Sequence, residues 1–175
     1  MAYFSQPLDP ARHRLDAFDS GEPKLDGWLR EHAAGAAARR VARTFVWIDP
    51  DTDPDHVVGY YSLTGHRLVH DDLPRSIGRG SPSEIPAVLL ARLALDRGHQ
   101  GGGNGGVLLA NALARVVVAT GIVAARFVLV DALHERAAGF YEHHGFRRIP
   151  NGLQLVQKVS DIAASLEAGA SPPWL

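Results

Sequence analysis

Apolar and polar positions fall in short blocks, and the rhythm within each block decides its element. Residues 44–48, TFVWI, are β-formers that run into DPDTDPD, a turn dense in Asp and Pro. Residues 57–69, VVGYYSLTGHRLV, read as the next strand, and the two predict an antiparallel hairpin. Residues 12–18, RHRLDAF, are a candidate first strand. Between them, PKLDGWLREHAAGAAARR (23–40) places Leu25, Trp28 and Leu29 at helical spacing. Pro23 suits the first helical position and Asp19 or Ser20 can cap it. Arg39 and Arg40 sit near its end, where the helix dipole favours cations.

The second half changes rhythm. After a loop at 71–83, AVLLARLAL (87–95) is a nearly continuous apolar run, as expected of a strand deep in a sheet. GVLLANALARVVVATG (106–121) predicts a helix apolar on most faces, closed by Gly121. ARFVLVD (125–131) predicts another buried strand. HERAAGFYEHHGF (134–146) predicts a helix with Ala137, Phe140 and Tyr141 at i, i+3 and i+4, ended by Gly145. LQLVQKV (153–159) predicts a last strand. The order β-α-β-β-β-α-β-α-β implies a mixed sheet with helices on it, in the α/β or α+β class. The length suits one domain, placed at 1–160, with 161–175 as a tail whose final SPPWL is expected to be loose.

Composition narrows the chemistry. At 46% hydrophobic residues the chain can bury a core, and a net charge of −1 leaves any anion recognition to local features. With no cysteine there are no disulfides, Cys-based zinc sites or thiol nucleophiles. The first residues lack the pattern of a signal peptide, and the apolar run at 107–118 is interrupted by Asn111 and Arg115, too short and polar to span a bilayer. The expectation is a cytoplasmic protein with no membrane association.

Residues 98–106, GHQGGGNGG, hold six of the 18 glycines. Glycine weakens regular elements, so such a run is retained where backbone must approach something bulky. It joins a predicted strand to a predicted helix, whose first amides lack internal partners and carry partial positive charge; this makes a cradle for phosphate groups. No Gly-Lys-Ser/Thr follows, which excludes a Walker loop. Gly101, Gly103 and Gly106 spell G-x-G-x-x-G, with Asp131 ending the next strand, but too few βαβ units follow for a dinucleotide fold. Gln100, Gly103 and Gly105 spell a third pattern, Q-x-x-G-x-G.

That third pattern, within LALDRGHQGGGNGGVLL (93–109) and followed by AAGFYEHHGF (137–146), resembles the GNAT N-acetyltransferases. Their pyrophosphate motif is (R/Q)-x-x-G-x-(G/A) after a central strand. The ordered set FDSGEPKLDGWL (18–29), RTFVWI (43–48), VVGYYSL (57–63) and IPAVLLARLALD (85–96) is similar to one branch, the acetyltransferase toxins of toxin–antitoxin pairs. The resemblance spans residues 14–158. It implies a GNAT fold with splayed central strands and direct acetyl transfer from acetyl-CoA to an amine. Leu93, Ala94 and Leu95 would hold the pantetheine arm, and Gln100, Gly101, Gly102, Gly103, Asn104, Gly105 and Gly106 the pyrophosphate. Tyr141 matches the family's general-acid tyrosine, with Phe140 and His134 beside the coenzyme; many members carry Asn at the position of His134.

No side chain stands out as general base; Glu84 is only a nominal candidate. A Lys ε-amine titrates near about 10.4 and an α-amine near about 7.7–8.0, and the ester of an aminoacyl-tRNA lowers its α-amine further, so a missing base is compatible with the acceptor the toxin branch implies. Arg39, Arg40, Arg43, Arg75, Arg79 and Arg92 are candidate contacts to tRNA phosphates. The resemblance also implies a homodimer and a ribbon-helix-helix antitoxin. Two other functions stay open: a GNAT enzyme acting on a small-molecule or protein amine, and an inactive coenzyme-binding or antitoxin-partner module. The nine histidines give no metal-site spelling: His66 and His70 lie on a predicted strand, where i, i+4 spacing separates them.

Overall fold

The computed structural model describes residues 2–150 and 152–169. Its elements are β1 (Phe4–Pro7), α1 (Pro23–Glu31), α2 (Ala33–Ala38), β2 (Arg43–Asp49), β3 (Asp53–Val69), α3 (Arg75–Gly78), β4 (Glu84–Leu95), α4 (Asn104–Thr120), β5 (Phe127–Asp131), α5 (Glu135–His143), β6 (Arg147–Arg148), β7 (Gln154–Lys158) and α6 (Val159–Ala168). The strands form one mixed sheet, as the alternation of elements implied, in the order β1-β2-β3-β4-β5-β7-β6. β4 and β5 run parallel, whereas β1–β2, β2–β3, β5–β7 and β6–β7 are antiparallel. The described residues divide into two compact units, the first holding residues 2–64 with Ala91–Ala112, the second Gly65–Leu90 with residues 113–150 and 152–169.

In the first unit, the predicted hairpin is β2 against β3, from Arg43↔Leu63 to Asp49↔Asp53. A bulge after Trp47↔Gly59 puts Ile48 opposite Val57. Gly59 sits where β4 comes close: a Cβ there would meet Leu95 Cδ1 at 3.1 Å and the Ala94 carbonyl at 3.4 Å. Phe18, Leu29, Ala33, Val46, Val57, Tyr60 and Ala94 form one core cluster of this unit, with Trp28 and Leu25 packed on it. The buried Tyr60 phenol donates to the Leu25 carbonyl at 2.7 Å, so the aromatic strand position also satisfies a carbonyl of α1.

Three local expectations are corrected here. Residues 12–18 make no strand; they carry one isolated bridge, Arg14↔His56, and the first strand is β1, whose FSQP lacks an alternating signature. The single helix at 23–40 is two, interrupted at His32 (φ −123°, ψ −27°). The N-cap of α1 is Glu22, without a side-chain cap bond. Ser20 instead donates its hydroxyl to the buried Asp26 at 2.6 Å and receives the Glu22 N–H at 3.2 Å, which ties the entry to α1 from one turn upstream.

In the second unit, Ala87–Leu90 pair in parallel with Phe127–Val130, and β7 pairs with β5 on its other edge. Four of the five β5 residues are buried, as a strand covered on both faces requires. Ile85, Ala87, Phe127, Leu129, Val156, Leu68, Leu73, Ile77 and Ile149 form one core cluster of this unit. The loop at 71–83 contains the one-turn helix α3. Beyond β7, α6 forms where a tail was expected; Val159 and Ile162 are its buried residues. Residues 171–175 lie outside the described residues.

Candidate active site

The glycine run is a turn tied down at its flanks. Asp96 caps the short helical turn before it, accepting from Gly98 N at 3.0 Å and from Asp19 N at 3.0 Å. The Gln100 side chain is committed inward: its Nε2 donates to the Ser20 carbonyl and to the Leu95 carbonyl, each at 2.8 Å. Gln100 thus fastens the turn to the end of β4. Gly101, Gly102 and Gly103 follow with φ of +84°, +62° and +84°, three successive left-handed residues. A Cβ on any of them would meet nothing within 4 Å. Here glycine is required for its backbone angle, and the space beside the turn is open to a ligand.

α4 starts at Asn104, two residues earlier than expected, so Gly105 and Gly106 lie in its first turn. The Asn104 N–H bonds the Gly101 carbonyl at 3.3 Å and the Val107 N–H the Gly103 carbonyl at 3.2 Å. Between them, the N–H groups of Gly105 and Gly106 have no carbonyl four residues back to meet inside the helix. A 17-residue helix adds its dipole at this end. These residues fit a diphosphate: bare backbone, positive helix end, open space. Leu93, Ala94 and Leu95 form the end of β4 in the same unit, Ala94 and Leu95 being buried.

The remaining predicted site residues lie on α5, in the second unit. His134 is its N-cap, with extended backbone and Nδ1 accepting the Ala137 N–H at 3.1 Å. That is a role Asn would fill equally, which gives a structural reason for either residue at this position. Phe140 and Tyr141 meet edge to face at 5.2 Å, and Phe146 meets Tyr141 at 5.5 Å. Tyr141 is buried, and burial pushes its phenol above the ordinary tyrosine value. Arg148 binds Glu135 at 2.8 Å and Glu142 at 2.9 Å, bracing α5 against β6.

The six candidate tRNA-contacting arginines fall into three settings. Arg39, Arg40 and Arg43 are exposed around the α2–β2 connection, with Arg40 at φ +59°. Arg92 is half-buried on β4, its guanidinium 3.8 Å from the Trp28 ring centroid. Arg75 and Arg79 are exposed at the two ends of α3. Near them are two arginines the sequence reading missed: Arg126 donates to the Arg79 carbonyl and Arg147 to Ser76 Oγ, each at 3.3 Å. Both stand far from α3 in sequence, so no local signal marks them. Glu84, the nominal base, pairs with Arg67 at 3.0 Å on the surface. Among the described residues no group of three His, Cys, Asp or Glu could hold a metal ion, and no helix is long and apolar enough to cross a membrane.

No family model matches the chain. A tRNA-acetylating toxin of Mycobacterium tuberculosis (strain ATCC 25618 / H37Rv) is 38% identical over 151 residues, covering 86% of this chain and 89% of that one. The chain belongs to the acetyltransferase toxins. Solved structures of such toxins share its fold. AtaT complexed with acetyl-methionyl-tRNAfMet superposes with a TM-score of 0.85 at 30% identity, covering 94% of this chain and 99% of that one. A tyrosine-to-phenylalanine mutant of AtaT, bound to the C-terminus of the antitoxin AtaR and acetyl-CoA, superposes with a TM-score of 0.79 at 29% identity, covering 94% and 98%. Membership in this toxin family carries the GNAT fold with it.

Proposed function

We propose that this chain is an acetyl-CoA-dependent N-acetyltransferase that acetylates the α-amine of aminoacyl-tRNA and thereby stops translation. The observation that carries this reading is the cradle: three left-handed glycines leading into the bare first turn of α4, in a chain of this family. Backbone N–H groups from Gly101 to Gly106 hold the pyrophosphate, and the end of β4, Leu93 to Leu95, lies along the pantetheine arm. The free α-amine attacks the thioester carbon; a C–N bond forms, the C–S bond breaks, the coenzyme sulfur takes a proton from the Tyr141 hydroxyl, and the proton the amine gives to water returns to the Tyr141 phenolate, restoring the donor. Burial keeps that phenol protonated at neutral pH, which is the state a proton donor needs. His134 caps α5 and Phe140 packs on Tyr141, so both set where the donor stands.

On this reading, residues 1–160 act as one acetyltransferase domain. Arg39, Arg40, Arg43, Arg75 and Arg79 meet tRNA phosphates, joined by Arg126 and Arg147, and Arg92 contributes from its place over Trp28. The protein works as a cytoplasmic homodimer and is neutralised by an antitoxin of the ribbon-helix-helix type. A cell-free translation reaction tests the proposal. Synthesis should stop only when both acetyl-CoA and the protein are added, and Tyr141→Phe should leave it running. Arrest without acetyl-CoA, or none with it, contradicts the reading.

A further inference from the structure

The glycine turn has no side chains of its own between residues 101 and 103, and a Cβ there would touch nothing within 4 Å. Its shape must be imposed from outside. Gln100 and Asp96 fix the entrance. The exit is fixed by a chain of contacts that begins near the start of the polypeptide. Asn104 Nδ2 reaches back across the turn to the His99 carbonyl at 2.9 Å, closing a loop around the three glycines. The same Nδ2 lies 3.5 Å from the Tyr3 hydroxyl, which is 2.8 Å from His99 Nδ1. Tyr3 is itself held by stacking on Trp47 of β2, with ring centroids 4.6 Å apart and planes 7° from parallel. Its hydroxyl therefore joins both flanks of the cradle, the helical turn before it and the first residue of α4 after it.

We propose that Tyr3 is a positioning residue for the coenzyme's pyrophosphate: acting through His99 and Asn104, it holds the glycine turn in its binding shape. The proposal rests on the acetyltransferase reading of the turn. Left-handed glycines have more backbone freedom to lose than any other residues, so a turn already held in place binds its anion without that cost. Tyr3 touches no part of the reacting thioester or amine. Its effect should be confined to ligands that carry a pyrophosphate.

Tyr3→Phe keeps the stack on Trp47 and removes only the hydroxyl. Calorimetry with acetyl-CoA should give a Kd raised by about two- to tenfold, the range of one hydrogen bond. Transfer to charged tRNA from acetyl-pantetheine, which has no pyrophosphate, should proceed at the wild-type rate. His99→Ala breaks the same link from the other side, leaves the Tyr3–Trp47 stack, and must give the same split if Tyr3→Phe does not fold. Equal acetyl-CoA affinity in variant and wild type overturns the proposal and leaves the acetyltransferase reading intact. An equal loss with both donors also overturns it, because a general defect of the fold is then responsible. If the wild-type protein binds no acetyl-CoA, both the proposal and the reading beneath it fail.

Discussion

Gly102 has φ +62° with open space around it, so the cost of changing it is purely conformational. Gly102→Ala should destabilise the protein by about 1–2 kcal/mol in urea unfolding, the penalty of a left-handed non-glycine residue. It should also weaken acetyl-CoA binding, because the methyl projects into the ligand's space. Unchanged affinity would move the pyrophosphate elsewhere. Tyr141→Phe should lower kcat by about 10²–10⁴-fold, the usual contribution of a positioned proton donor. The pH dependence follows from the direction of its shift. Burial disfavours the phenolate, so loss of the proton, and with it loss of the donor, is pushed above the free tyrosine value of about 10. The rate should rise as the acceptor amine deprotonates and then stay level, with no alkaline loss below about pH 10. An alkaline limb near neutrality that disappears in Tyr141→Phe would show that burial does not govern this group.

The residue scale also marks the limit of what sequence reveals. The left-handed turn was legible because consecutive glycines have few other uses. The roles of Tyr3 and His99 were not, since a hydrogen bond across 96 positions leaves no local pattern.

At the scale of elements, α5 depends on its cap. His134→Ala should cost about 1 kcal/mol of stability, whereas His134→Asn, which keeps an acceptor for the Ala137 N–H, should be nearly neutral; chemical denaturation separates them. α4 carries a buried bond. The Tyr61 hydroxyl donates to Asn111 Oδ1 at 2.7 Å, both residues being buried. Tyr61→Phe takes the donor from a buried amide oxygen and should cost about 1–3 kcal/mol, while adding Asn111→Leu should recover part of that loss. Strict additivity would mean that the pair does not interact. Most elements were readable from apolar rhythm, and the exceptions are informative. α6 has Val159, Ile162, Ala163 and Leu166 at helical spacing, a signal masked because the helix follows β7 without a turn residue. β1 and β6 are four and two residues long, and sheet pairing creates them without help from pattern.

At the scale of the molecule, the ordered stretches along the chain mark the family, because a glycine cradle, a strand before it and an Ala-x-x-Phe-Tyr helix after it must occur in that order. Which aminoacyl-tRNA is taken was not legible, since selectivity rests on side chains brought together only by folding. One measurement bears on the central claim most directly. The purified protein is incubated with acetyl-CoA and total charged tRNA, and the nucleotide-linked amino acids are analysed by mass spectrometry, with Tyr141→Phe in parallel. N-acetyl-aminoacyl-tRNA should form with the native protein, and far less of it with the variant. Charged tRNA that stays unmodified while acetyl-CoA binds would contradict the central claim.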